Sequence, residues 1–92
     1  MKQEQAETIA LQAIAFIGQE ERALNGLLAQ TGMGLDDLRE NMQDPAFLGG
    51  ILDFLLSDES ALLAFCEAIE ITPEFLIRAR CSLPGGENLW DG

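Results

Sequence analysis

Histidine and tyrosine are absent from these 92 residues, lysine occurs once, and Cys66 and Cys81 are the only cysteines. Acid–base catalysis near neutral pH runs most often through histidine, so here it would fall to carboxylates with raised pKa, to a thiol, or to Lys2. Cations are equally scarce: Lys2, Arg22, Arg39, Arg78 and Arg80 face sixteen carboxylates, giving a net charge of −11 and a pI near 4.1. Nucleic-acid binding needs clustered cations that release counterions, and phosphate repels so acidic a chain. The same repulsion argues against anionic membranes. The main apolar stretch is broken by Asp53 and by Ser57-Asp58-Glu59-Ser60, short of the ~20 residues that cross a bilayer. The opening MKQEQAET has no apolar run of signal-peptide type, so a cytoplasmic address is expected. No GxxxxGK[ST], GxGxxG or CxxC occurs, which leaves no cofactor motif.

What remains is a folded domain. A hydrophobic fraction of 48% and a mean hydropathy of +0.11 lie far from the composition of disordered chains. The acidity itself permits solubility and fast encounter with a basic partner surface.

Helical amphipathicity is what the chain has in quantity. The stretch from Asp44 to Ile71 concentrates the apolar residues. As a helix from Pro45, its Phe47, Leu48, Ile51, Leu52, Phe54, Leu55 and Leu56 spread over roughly 200° of arc, which demands burial on most sides. Asp44-Pro45 is a strong start signal, and Ser57 is expected to cap the following helix. Upstream, the spacing predicts helices over 4–17, ended by Gly18, over 19–30, stopped at Thr31-Gly32-Met33, and over 35–43. Downstream, Thr72-Pro73-Glu74 opens a last helix that carries Arg78 and Arg80 in its final turns, where cations are favoured. The expectation is an all-α compact bundle of about six helices: a single domain over 1–86, with the fourth and fifth helices as its core, and a short tail over 87–92.

The two halves align at one offset of 38 residues. Phe16 falls on Phe54, Glu21 on Glu59, Ala23 on Ala61, Leu24 on Leu62 and Leu38 on Leu76. Similar residues fill the frame, such as Ile14 with Leu52, Ile17 with Leu55 and Leu27 with Phe65. Two three-helix repeats are one explanation, and chance alignment of amphipathic helices is the other.

Candidate sites are few. Gly49 and Gly50 inside the fourth helix cost about 1 kcal/mol each relative to alanine, which close packing of another backbone would offset; a ligand against them is the sharper alternative. Asp36 and Glu40 form an i, i+4 pair that a divalent ion could use, but no third ligand or EF-hand spacing accompanies them. Cys81 follows Arg78 and Arg80 and is the one plausible nucleophile. Cys66 is flanked by Glu67 and Glu70, which would raise its pKa. Both cysteines read as reduced thiols, with a disulfide as the alternative. Leu89 and Trp90, beyond Pro84-Gly85-Gly86, either cap their own domain or anchor a partner. No catalytic, metal or cofactor constellation stands out. The favoured function is a non-catalytic protein–protein interaction or adaptor module with a basic partner or a second copy. A small-ligand or metal-binding regulator and a thiol enzyme are the rivals.

Taken together, ETIALQAIAFI, TGMGLDDLRE, DPAFLGGILDFLLSDESALLAFCEA, TPEFLIRAR and LPGG resemble the family called domain of unknown function 3572, nearly end to end. That family comprises small proteins found mainly in alphaproteobacteria. The resemblance implies a soluble, all-helical bacterial protein and supplies no active-site or cofactor residues.

Overall fold

A computed structural model describes residues 1–84, and the expected boundary at residue 86, the 87–92 tail, Leu89 and Trp90 lie outside them. The described residues form six helices and no strand, as the periodicity predicts: α1 (Gln3–Gln19), α2 (Glu21–Thr31), α3 (Leu35–Asn41), α4 (Pro45–Ser57), α5 (Glu59–Ile69) and α6 (Pro73–Cys81). No helix among them is long and apolar enough to cross a membrane.

The centre of the bundle is α4. Leu48, Gly49, Ile51, Leu52, Phe54 and Leu55 are all buried there. Its closest partner is α1, whose Ala6, Ala10 and Ala13 are fully buried together with Ile9 and Ile17. Alanines at i, i+4 and i+7 share one face of a helix and let neighbouring backbones approach. Through that face α1 packs on both α4 and α6. This corrects the expectation that α4 and α5 make the core: α5 buries only Ala61, Phe65 and Cys66. Phe65 ties α5 to α1 through a tilted ring contact with Phe16, centroids 5.5 Å apart.

Helix ends follow local chemistry, with two departures from expectation. Asp44 caps α4 and Thr72 caps α6, each side chain accepting a first-turn N–H, with proline at the first helical position. Asp58, not Ser57, caps α5: its carboxylate accepts from Ala61, while Ser57 ends α4 and donates its hydroxyl to the Phe54 carbonyl. A carboxylate at that position also suits the helix dipole, so it displaces the serine. Gly18 does not end α1, which runs on through Gln19 to a C-cap at Glu20. The stop at Gly32 is left-handed (φ 71°), and its N–H is held by the Leu28 carbonyl.

At the 38-residue offset α2 falls on α5 end for end, α1 and α4 finish at corresponding residues, and α3 and α6 begin together. The left-handed cap Gly32 corresponds to Glu70 (φ 58°). The packing is less alike: α6 lies on α1, α4 and α5, whereas α3 makes no comparably broad contact with any helix.

The cap assignment is testable. Asp58→Ala is expected to lower unfolding free energy by about 1 kcal/mol, and Ser57→Ala to change it by less than about 0.5 kcal/mol. Urea denaturation of the two variants checks it, and the reverse order would restore Ser57 as the cap.

Candidate functional site

One polar residue is buried within the described core. Arg80, near the end of α6 where the helix dipole favours a cation, is only 7% exposed. Its Nε and Nη2 donate to the two carboxylate oxygens of Asp53 on α4 at 2.6 and 2.9 Å, and its Nη1 donates to the Pro84 carbonyl at 3.0 Å. The fork geometry of guanidinium and carboxylate makes such a bidentate pair both strong and directional. The Asp53 side chain is 49% exposed, so the carboxylate keeps much of its hydration while the cation has given up nearly all of its own.

This arrangement explains Gly49. A Cβ built on it would lie 2.7 Å from Arg80 Nη1 and 3.3 Å from the Pro84 oxygen. What closes on α4 here is a guanidinium and the chain after α6, not a crossing helix, and they occupy the space where a ligand was considered. Gly50 is exposed, and a Cβ there would meet nothing within 4 Å. The pairing was invisible in sequence because Asp53 and Arg80 are 27 residues apart on different helices.

The remaining candidates are dispersed. Cys66 and Cys81 are both free thiols. Burial is the main influence pushing the Cys66 thiol up, and the Glu74 carboxylate adds to it; Glu67 and Glu70, the expected causes, are not the neighbours responsible. Cys81 is half-buried on the wall of an open cavity of about 470 Å³, shared with Met1, Glu74, Ile77, Arg78 and Ser82. The Ser82 hydroxyl donates to the Met1 carbonyl at its edge. Asp36 and Glu40 lie on the exposed side of α3, and no three metal-capable side chains converge among the described residues.

A further cavity is an apolar groove whose place the sequence did not indicate. Ile14, Ile17 and Gly18 of α1, Leu24 and Leu27 of α2, Leu35, Leu38 and Arg39 of α3, and Met42 just beyond it line an almost wholly apolar groove of about 200 Å³. Leu35 stands 56% exposed at its rim. No Cβ contact within 4 Å awaits a side chain at Gly18, which is therefore an open floor. At the positions 38 residues on, Leu56 stands in place of Gly18 and Phe65 in place of Leu27, and Leu52, Leu55, Phe65, Leu76 and Arg80 are buried. The signal in sequence was this pair of size differences within an otherwise regular alignment.

Residues 3–86 match the family described as protein of unknown function DUF3572, and the chain belongs to it. Among curated proteins and among solved structures nothing matches the chain.

Two measurements probe this geometry. Asp53→Ala strands a buried cation and is expected to cost about 2–4 kcal/mol, whereas Arg80→Met leaves a half-hydrated carboxylate and costs less. Gly49→Ala is expected to lose about 1–3 kcal/mol in the native background and much less in Arg80→Met, a coupling that a double-mutant cycle reads. For Cys66, an unfolded thiol ionises near its ordinary 9.0 while the folded one holds its proton to higher pH. Proton binding thus favours the folded state above pH ~9 less and less, and stability falls as pH rises through the folded value. Cys66→Ala flattens that decline, and alkylation at pH 8 modifies Cys81 well before Cys66.

Proposed function

We propose that this member of the DUF3572 family is a small, non-catalytic protein–protein interaction module of the cytoplasm. Its groove between α1, α2 and α3 takes an apolar anchor from a partner protein. The observation that carries the reading is the groove itself, apolar and open to solvent, with Leu35 56% exposed at its rim. Gly18, in the last turn of α1, has neither a positive φ nor a neighbour within 4 Å of where a Cβ would stand, so one side of the groove is left open. Volume separates the kinds of guest: small-molecule sites span roughly 300–1,000 Å³, and the groove, at about 200 Å³, suits a single large side chain.

A small-ligand regulator has one observation in its favour, the cavity of about 470 Å³ beside Met1 and Cys81. Its wall is mixed, with Glu74, Arg78 and Ser82 beside Met1 and Ile77, whereas the α1–α2–α3 groove is almost wholly apolar and fits the anchor reading better. Leu89 and Trp90, which lie outside the described residues, are proposed as a second contact with the partner.

Gly18→Ala is expected to raise unfolding free energy by about 1 kcal/mol and leave the groove open, whereas Gly18→Leu fills it. Affinity capture from the native cell should recover the same protein with the native chain and Gly18→Ala, and lose it with Gly18→Leu. Equal recovery by all three removes the groove from the interaction.

A further inference from the structure

We infer that the partner segment seated in the α1–α2–α3 groove presents one large apolar side chain with an aspartate or glutamate beside it, whose carboxylate pairs with Arg39; this rests on the groove being the docking site. Size limits the anchor to one. At about 200 Å³ the groove holds a single large side chain, and the rest of the segment lies across its rim. What meets the anchor's neighbours is therefore set by the rim, where Leu35 is 56% exposed and Arg39, one helical turn on, is exposed as well.

Arg39 is the charged residue on the groove wall, and among the described residues it forms no ion pair. The carboxylates nearest it in sequence are otherwise placed. Asp37 accepts from the Gly34 N–H at 3.0 Å, holding the start of α3, and neither Asp36 nor Glu40 pairs with the guanidinium. The last turn of α3 suits a cation through the helix dipole, which favours the charge and leaves its N–H donors unclaimed. A guanidinium at the edge of an apolar slot offers a planar fork that a carboxylate matches, and the pair gives direction to an anchor that burial alone would leave free to turn. Lysine or arginine beside the anchor would bring like charges together instead.

Net charge limits how acidic the segment can be. The chain carries −11 overall and repels a partner that is acidic along its length, so the carboxylate belongs next to the anchor in a segment otherwise neutral or basic. A second copy of the chain offers Leu89-Trp90-Asp91, an apolar pair with a carboxylate beside it, but brings −11 to meet −11.

A phage-displayed library of peptides with one fixed tryptophan and randomised neighbours tests the pairing. It is panned on the native chain and counter-screened on Gly18→Leu, which fills the groove, and on Arg39→Gln, which keeps the slot and removes the charge. Clones that weaken at least about tenfold on Gly18→Leu are expected to carry aspartate or glutamate beside the tryptophan, and to weaken about three- to tenfold on Arg39→Gln. Panning on Arg39→Glu is expected to select lysine or arginine at the same peptide position, a swap that also shows the variant to be folded. Groove-dependent clones with no acidic preference, or indifferent to Arg39→Gln, overturn the inference and leave the docking site standing. Clones that all ignore Gly18→Leu overturn the docking site itself. A dimer seen by light scattering that Gly18→Leu abolishes makes the occupant a second copy, and groove-dependent binding that appears only after truncation at Gly86 makes it the chain's own tail. Either result overturns the assignment to a partner.

Discussion

Burial of α4 on nearly every side is the constraint from which the arrangement follows. Six of its thirteen residues are inaccessible to solvent, and no single neighbour can cover so wide an apolar arc. Contact with α1, α5 and α6 together is the solution adopted. The alanine face of α1 follows, because a helix that must lie against both α4 and α6 has no room for large side chains there. So does the peripheral place of α3, which has only one buried residue, Leu38, to contribute.

Against that apolar background the Asp53–Arg80 pair acts as a positioning contact. A hydrophobic interface between α4 and α6 would tolerate some sliding, since burial is proportional to area and has little direction. Two parallel hydrogen bonds to a carboxylate, plus a third to the Pro84 carbonyl, admit one register. Gly49 is the steric counterpart of that choice: the guanidinium lies where a methyl group would otherwise stand. The polar contact thus selects among packings that the apolar residues alone leave close in energy.

The groove beside α3 is one place among the described residues where this small fold departs from close packing. The equivalent positions in the second half carry Leu56 and Phe65, larger than the Gly18 and Leu27 that line this groove. Family membership brings no activity with it, and the functional reading therefore rests on this open apolar groove. An apolar slot of this kind draws affinity from the anchor that fills it.

Composition and periodicity by themselves determined the all-helical class, the number of helices and most of their ends. Those features depend on residues close in sequence: Asp44-Pro45, Thr72-Pro73 and Gly32 act within a turn of where they stand. The greasy character of α4 was equally plain, because a wide apolar arc is a property of one segment. Tertiary structure alone decided which helix lies against α4, that Arg80 turns inward to Asp53 instead of staying in solvent, and that Glu74 is the carboxylate acting on Cys66. It also decided that Gly18 opens onto space while Gly49 is filled, though both are helical glycines. The physical reason is common to all four: each depends on what another helix presents at that point. Such information resides in the packing of the whole chain and has no period to reveal it.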